Sequence, residues 1–233
     1  TQRLLVMKTS LSTFPQNRRV AAETVILPLG VTPKGARGKI LNAALRLFAQ
    51  RGYGATSVRD ICKEAKVQTT TLYSHFPSKE QVLAEIIQLG HTEHLQRLRE
   101  ALVKCEQQAP AEQLSAMVRA HVISHCEYSM LAVVTNTEMH ALSDDAVRPV
   151  MAILQESESL LGDVLQRCSQ HSIFDVPDIE LALRAIGGMG MRVAFWYEPN
   201  CGKTPEYVAD TFADFAMRLM GITSNQLPTS KSP

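Results

Sequence analysis

The 233-residue chain lacks the sequence features of an exported, membrane-spanning or disulfide-stapled protein. Its five cysteines are odd in number, widely scattered and never form a CxxC pair, which argues against a disulfide framework or a zinc knuckle. No apolar run approaches the ~20 residues that a helix needs to cross a bilayer. We therefore expect a protein of the reducing cytoplasm that has no membrane partner.

Signatures of catalysis are also missing. The sequence contains no Gly-x-Ser-x-Gly elbow, no HExxH helix and no phosphate-binding loop. Gly188 and Gly190 form a Gly-x-Gly, but this pair lies within a helical pattern and does not follow a strand, so it is not a nucleotide loop. The sequence predicts neither an enzyme nor a bound cofactor.

Alternating strand patterns are absent beyond residue 90, and apolar residues recur there at helical spacing, as at Leu95, Leu98 and Leu102. Capping patterns predict a long helix from about 143 to 168, another from 178 to 197, and a last one from 204 to 220 that begins at Thr204-Pro205-Glu206. We predict an all-α fold, with a small three-helix domain at the N-terminus followed by a helical bundle.

Basic charge is concentrated near the N-terminus, although the chain as a whole carries only +1. Residues 34–79 hold nine Lys or Arg against two acidic residues, whereas residues 80–233 hold eleven against twenty. A basic front attracts phosphates and an acidic body is repelled by them. This polarity indicates a nucleic-acid partner for one end of the molecule.

Two short helical segments stand within the basic region. Ser57–Ala65 places apolar residues at the spacing of a helix with one buried face, and Thr69–Phe76 buries Leu72 and Phe76 while leaving hydroxyls, a phenol and an imidazole outside. A helix this short is not stable alone and must be held by its neighbours. The arrangement is typical of a helix-turn-helix unit, whose second helix enters the major groove of DNA.

The segment from Gly52 to Glu80 resembles the DNA-binding domain of the TetR family of transcriptional regulators. The resemblance is carried by Gly52-Tyr53, Thr56-Ser57, Asp60-Ile61, Val67 and Thr71-Leu72-Tyr73-x-His75-Phe76-x-Ser78-Lys79-Glu80. The family usually has glycine where Lys66 stands, so lysine must either accept a strained positive φ or adopt a different turn. The resemblance implies a homodimeric regulator, most often a repressor, that binds double-stranded operator DNA.

The DNA-contacting residues are expected on and around the second helix. We assign the base edges to Gln68, Thr69 and Thr70. The phosphate contacts are assigned to residues with hydroxyl, phenol, imidazole or ammonium groups: Thr56, Ser57, Tyr73, His75 and Lys79. Thr71 completes the predicted DNA-binding surface. For His75, capping of the helix is an equal alternative.

The C-terminal region resembles regulators of the same family that sense CoA thioesters of fatty acids, steroid fragments or similar intermediates. The resemblance rests on residues 137–143, the Trp196-Tyr197-Glu198-Pro199 turn and residues 208–214. It implies a small hydrophobic effector such as an acyl-CoA. Candidate ligand-binding residues are Met117, His121, Met139, Met189, Arg192 and Trp196.

Arg192 and Trp196 stand one helical turn apart, so a cation and a flat apolar ring could act on one CoA thioester. The competing interpretation pairs Arg192 with Glu138 or Glu198 and places Trp196 in the core. Likewise, the methionines could line a ligand cavity or simply fill the core.

Gly187, Gly188 and Gly190 cluster within a predicted helix, which is costly unless a partner helix or a ligand needs the space. We predict a dimer built from helices 178–197 and 204–220. The expected domains are a flexible leader (1–33), the helix-turn-helix domain (34–80), the effector and dimerisation domain (81–222) and a flexible tail (223–233). A basic arm is the alternative for the leader.

His121 and His125 stand at i and i+4, and Cys126, Glu138 and His140 are near in sequence, so a metal site is conceivable. A pair of semi-buried histidines is the favoured interpretation, and no metal site is predicted. Two other functions stay open: a redox- or metal-responsive sensor, and a helical small-molecule-binding protein without DNA function.

Overall fold

The described part of the chain folds entirely into helices joined by short loops. In this computed structural model, residue 20 and residues 25–170, 174–176 and 178–221 are described. Nine α-helices and one 3-10 turn (Met139–Ala141) occur there, with no strand: α1 Gly35–Arg51, α2 Val58–Ala65, α3 Thr69–His75, α4 Lys79–Lys104, α5 Pro110–Glu127, α6 Ser129–Thr137, α7 Asp144–Ser169, α8 Ile179–Trp196 and α9 Pro205–Leu219. The predicted all-α fold is confirmed.

The predicted leader and tail fall largely on residues 1–19, 21–24 and 222–233, which lie outside the described residues. Within the described part, Val20 and Leu27 are buried against the first core. At least these two positions of the predicted leader are therefore packed into the first core. None of the described helices combines the length and the apolar composition that crossing a membrane requires.

Side-chain caps hold the starts of α2, α4 and α9, including the predicted cap at Thr204, whereas Ser143 makes no side-chain capping bond at α7. Ser57 and Asp60 form a reciprocal capping box at α2, and the Ser78 hydroxyl accepts a hydrogen bond from the Gln81 N–H at the start of α4. Thr204 caps α9 in the same way, with Pro205 in the first helical position. These local bonds fix the directions in which the helices leave their loops.

The turn between α2 and α3 depends on Lys66, which adopts the left-handed conformation with φ 56° and ψ 45°. A side chain there costs about 1–2 kcal/mol relative to glycine. The Val67 N–H donates to the Cys62 carbonyl at 3.0 Å, which closes the end of α2. Lysine thus keeps the turn of the helix-turn-helix unit, and its side chain stays exposed beside α3.

The first core joins the helix-turn-helix domain to the body of the protein. Ile40, Leu41, Leu45 and Phe48 of α1 are fully or almost fully buried in it. The same apolar cluster extends through the first half of α4 into α6, whose buried members are Met130, Leu131, Val133 and Val134. The helix-turn-helix domain therefore shares an apolar core with α6.

The second core lies among α5, α7, α8 and α9. α9 packs along α5, and α7 packs against α4, α5 and α8. Its buried residues include Leu114 and Val122 of α5, Val164 of α7 and Ala213 of α9. The helical body thus encloses the region where α4, α5 and α8 meet.

Gly190 allows α8 to approach α5 closely at His121. A Cβ atom added at Gly190 would lie 2.0 Å from Cδ2 and 2.2 Å from Nε2 of His121. At Gly187 and Gly188 an added Cβ would meet nothing within 4 Å. Part of the glycine cluster is therefore explained by a close approach of two helices within one chain, not by a dimer contact.

We expect Gly190→Ala to lower the thermal midpoint, because the imidazole of His121 would be displaced from its hydrogen bonds, an overpacking cost of about 1–3 kcal/mol. Gly188→Ala is the matched control two residues away and should leave the midpoint unchanged or raise it, since alanine favours a helix by up to about 1 kcal/mol. Thermal unfolding followed by circular dichroism measures both. Equal midpoints for the two variants would contradict the close approach.

Candidate functional site

The exposed face of α3 is the first candidate site. Leu72 and Phe76 anchor the helix in the first core, while Gln68, Thr69 and Thr70 at its N-terminal end are exposed. Tyr73 has 52% of its surface exposed, although it belongs to the same short helix. Gln68 occupies the N-cap position and makes no side-chain capping bond, so its amide is available to a partner.

The residues assigned to phosphates do not share one environment. Ser57 is exposed, Thr71 and His75 are half-buried, and Thr56 is 1% exposed. The Thr56 hydroxyl donates to the Gly52 carbonyl at 2.9 Å and closes the loop between α1 and α2. The assignment of Thr56 to a phosphate is therefore corrected, because its hydroxyl is buried and already used.

Lys79 also serves the fold. Its ammonium donates to the carbonyl oxygens of Tyr53, at 2.9 Å, and Thr56, at 2.8 Å, and lies 3.9 Å from the centroid of the Tyr53 ring. Burial lowers the pKa of Lys79. Main-chain acceptors hold this ammonium inside the domain. Lys79 therefore links α4 to the α1–α2 loop, and its ammonium is not directed at a phosphate.

Lys66 is an exposed cation next to α3 that the sequence assignment did not include. It is exposed immediately before the N-terminus of α3, and it makes no ion pair within the described part of the chain. By contrast, Arg37 pairs with Glu85 and also donates to the His75 carbonyl, and Arg46 pairs with Glu64. The departure from glycine at position 66 was the sequence signal that could have identified this cation.

The second candidate site is a cavity of about 400 Å³ enclosed by α4, α5, α6, α7 and α8. Apolar side chains such as Leu98, Val118, Leu131 and Leu161 form most of its wall. Polar groups are distributed among these apolar side chains, a combination that is typical of a site for an organic ligand. Its polar lining residues are His91, His94, His121, Ser124, His125, Tyr128, Thr135, Asn136, Ser157, Glu158, Glu180 and Arg184.

Two of the six predicted ligand-binding residues, Met117 and His121, line the cavity. Met139 instead packs against the first core, and Met189 and Trp196 pack against the second. Arg192 is exposed, and its guanidinium carbon lies 4.5 Å from the centroid of the Phe195 ring. Neither Arg192 nor Trp196 lines the cavity, so the predicted Arg192–Trp196 pair does not face it.

The register of α8 explains this difference. Six of the seven residues of α8 that line the cavity recur at i, i+3, i+4, i+7, i+8 and i+11, which is one helical stripe: Glu180, Leu183, Arg184, Gly187, Gly188 and Met191. Ile186, the seventh, lies beside this stripe. At 100° per residue, Arg192 and Trp196 point about 120° and 160° away from Glu180. The arginine beside the cavity is therefore Arg184, which is exposed and donates to Glu180 at 2.7 Å.

Histidines from α4 and α5 meet in the cavity wall. Nδ1 of His121 lies 3.1 Å from Nε2 of His94, and the ring centroids of His121 and His125 are 4.5 Å apart. Burial lowers the pKa of His91 to about 4 and that of His125 to about 3, and burial also lowers the pKa values of His94 and His121. The four imidazoles are therefore neutral at pH 7.

Two helices and two hydrogen bonds connect the cavity to the helix-turn-helix domain. α4 begins just after α3 and contributes His91 and His94 to the cavity wall. α6 also lines the cavity and packs against α1. Glu138, which is 4% exposed, accepts from the Tyr53 N–H at 3.3 Å, and Glu80 accepts from the Ser143 N–H at 2.8 Å. The end of α6 is thus bonded to the loop that Lys79 also holds.

An exposed recognition helix on a basic domain, joined by shared helices to an internal cavity, defines the class of helix-turn-helix transcriptional regulators with a ligand-binding body. The family model described as "Bacterial regulatory proteins, tetR family" matches residues 40–86. The model described as "Tetracyclin repressor-like, C-terminal domain" matches residues 107–220. The chain belongs to the TetR family of transcriptional regulators.

Similar proteins extend over most of the chain. The HTH-type transcriptional repressor KstR2 of Mycolicibacterium smegmatis is 29% identical over 196 residues, which are 83% of this chain and 94% of the relative. The structure of the ketosteroid transcriptional regulator KstR2 of Mycobacterium tuberculosis is 26% identical with a TM-score of 0.74, covering 82% of this chain and 97% of that one. The TetR-family regulator PfmR of Thermus thermophilus is 30% identical with a TM-score of 0.69, covering 77% and 97%.

A further structure, that of AibR in complex with isovaleryl coenzyme A and operator DNA, has a TM-score of 0.68 and is 24% identical, covering 79% of this chain and 97% of that chain. At this identity the likeness concerns the fold. The family confirms the prediction of a DNA-binding transcriptional regulator that is not an enzyme. Regulators of this family bind operator DNA and dimerise.

Proposed function

We propose that this regulator is a repressor that leaves its operator when the acyl part of a CoA thioester enters the cavity. The observation that carries the proposal is the position of the cavity, whose walls include the two helices, α4 and α6, that also build the core of the helix-turn-helix domain. The repressor name of the KstR2 relatives and the isovaleryl coenzyme A bound in AibR support the same conclusion.

The chemistry of the cavity suits an acyl or fused-ring group. A volume of about 400 Å³ with mostly apolar walls accommodates an organic group that water solvates poorly. The charged phosphates of CoA would lose their hydration against such walls, so they belong at the rim. Arg184 stands at that rim and is exposed, and its guanidinium can bind phosphate oxygens in competition with Glu180.

For the operator, the exposed groups at the start of α3 are proposed to read base edges: Gln68, Thr69 and Thr70. Phosphate contacts are proposed for Ser57, Thr71, Tyr73 and His75, with Lys66 added to the assignment. Lys66 supports this extension because its charge is exposed at the N-terminal end of the recognition helix. Thr56 and Lys79 stabilise this DNA-facing surface through hydrogen bonds inside the domain, and neither is proposed to contact DNA.

The dimer is proposed to form through α8 and α9. Large apolar side chains outside the cavity wall are exposed on both helices: Leu181, Tyr207, Phe215 and Leu219. Exposed apolar side chains of this size are unfavourable in water, and packing against a two-fold symmetry mate would bury them. Gly187 lies in the cavity wall and not on this surface, so Phe215 is the better residue with which to test the dimer.

Release from the operator is proposed to be a population shift. The effector favours the body geometry in which α4 and α6 pack best around it, and the shared core transmits that geometry to α3. The two recognition helices of a dimer must match successive major grooves, so a small change in their separation weakens binding. By linkage, operator DNA must weaken effector binding by the same factor.

We expect Lys66→Asn to flatten the salt dependence of operator binding, reducing the log–log slope by about one, because one phosphate contact is lost. Asparagine tolerates the left-handed conformation and so preserves the turn. Lys79→Ala is the contrasting variant, and it should keep the wild-type slope while lowering the thermal midpoint. Fluorescence anisotropy at several salt concentrations measures the slopes. A flattened slope in Lys79→Ala with an unchanged slope in Lys66→Asn would reverse the assignment.

Phe215→Glu should convert the dimer to a monomer, because a carboxylate would be buried beside its symmetry copy. Val103→Glu is the matched control, since Val103 is exposed on α4, away from α8 and α9. Sedimentation velocity gives the mass of each variant, and circular dichroism shows whether it is folded. A folded Phe215→Glu variant that remains dimeric would place the interface elsewhere.

Arg184→Ala should weaken operator release by acyl-CoA compounds by about tenfold, whereas Arg192→Ala, two turns along the same helix and off the cavity, should behave as wild type. The expected loss of about 1.4 kcal/mol corresponds to one charge-assisted phosphate contact. Both variants should bind the operator normally without effector. The measurement is the concentration of a series of acyl-CoA thioesters that releases half of the bound DNA. If no thioester in the series releases the wild type, the proposed effector class is wrong.

A further inference from the structure

Three histidines in the cavity wall converge on one point from two helices. One ring nitrogen from each of His94, His121 and His125 lies within 4.8 Å of the others, and this is the one such cluster of three among the described residues. The sequence offers only the His121–His125 pair at i and i+4. The third member, His94, comes from α4, 27 positions before His121, and α4 and α5 pack side by side.

Main-chain carbonyls fix which nitrogen of two rings is protonated. Nε2 of His121 lies 3.1 Å from the Gly187 oxygen, and Nδ1 of His125 lies 2.8 Å from the His121 oxygen. A carbonyl only accepts, so each of these nitrogens carries the hydrogen, and the lone pairs are left on Nδ1 of His121 and Nε2 of His125. Metal-binding histidines are commonly oriented in this way, with the second ring nitrogen donating to a backbone carbonyl.

The cluster is poorly satisfied without an ion. Nδ1 of His94 and Nε2 of the neighbouring His91 are buried, and neither has a hydrogen-bond partner within the described part of the chain. The Nε2 atom of His125 has only the Asn136 amide nitrogen, at 3.5 Å. Nδ1 of His121 accepts from Nε2 of His94 at 3.1 Å, so within the cluster the lone pairs without a close donor are those on Nδ1 of His94 and Nε2 of His125. Burying such unpaired acceptors costs free energy, which a cation bound to the cluster would offset.

We propose that His94, His121 and His125 bind a divalent transition metal ion of the zinc class in the wall of the effector cavity. Neutral imidazole suits Zn²⁺ and its transition-metal neighbours, while the absence of a carboxylate from the cluster disfavours Mg²⁺ and Ca²⁺. Tetrahedral ligand nitrogens lie about 3.3–3.5 Å apart, so the farthest pair would have to close by about 1.3 Å. Three protein ligands leave a fourth position, and this position faces the cavity.

The open position distinguishes this site from a structural zinc site, in which four protein ligands surround the ion. An oxygen or sulfur atom of a molecule inside the cavity could occupy it. This consequence rests on the proposed effector role of the cavity, but metal binding itself does not. The ion can therefore be tested without effector or operator.

The test uses the full chain after removal of metal with a chelator. Zn²⁺ is titrated by calorimetry, and Co²⁺ is titrated by visible absorption as a spectroscopic probe of the ligands. His94→Gln and His125→Gln are compared with His140→Gln, a control on an exposed histidine outside the cluster. His121 is not substituted, because its ring is packed against Gly190. Circular dichroism shows that each variant remains folded.

We expect one ion per chain and the Co²⁺ spectrum of a low-coordinate nitrogen and oxygen site. His94→Gln and His125→Gln should each weaken binding by at least about tenfold, with His140→Gln unchanged. The proposal is overturned if the wild type binds no stoichiometric ion, or if His94→Gln binds as tightly as His140→Gln. It is also overturned if the Co²⁺ spectrum shows sulfur-to-metal charge transfer, which would locate the ion at a cysteine.

Discussion

The packing of α4 against two partners is the interaction on which the rest of the structure depends. Val82, Leu83, Ile86 and Ile87 in its first half are fully buried with α1, whereas its second half lines the cavity and contacts α5 and α7. A continuous helix transmits displacement along its axis, because its backbone bonds resist local bending. The orientation of the recognition helix is therefore coupled to whatever fills the space between α4 and α5.

A second connection runs through α6. Gly90 allows α4 and α6 to approach so closely that an added Cβ would lie 2.5 Å from Cγ2 of Thr135, and both residues line the cavity. At its C-terminal end, α6 is followed by Glu138, whose carboxylate accepts from the Tyr53 main chain, next to the carbonyl that Lys79 holds. The same short loop thus receives bonds from both helices that border the cavity, which favours movement of the domain as one body.

Local patterns predicted the helices well, because caps and apolar spacing act within a few residues of chain. Thr204 was indicated by Pro205 and Glu206 and caps its helix as expected. The lining of the cavity was harder to predict, because it depends on the rotation of α8 about its axis. A rotation of α8 by one residue would bring Arg192 to the cavity in place of Met191. The histidine cluster was missed for a related reason: sequence spacing shows pairs on one helix but not a third residue contributed by α4.

The walls of the cavity also determine which ligands can act as effectors. A ligand shifts an equilibrium only by the difference between its affinities for the two states, and a change from 1:99 to 99:1 requires about 5.5 kcal/mol. If α7 has the same position in the DNA-bound and the released state, contacts with α7 alone contribute equally to ligand affinity in both states. Such contacts would let a ligand bind without releasing the operator. The effective contacts are those with Leu98 on α4 and with Leu131 and Thr135 on α6, because these helices continue into the DNA-binding core. A compound too small to span from α8 to these side chains should therefore bind in the cavity and leave the operator occupied.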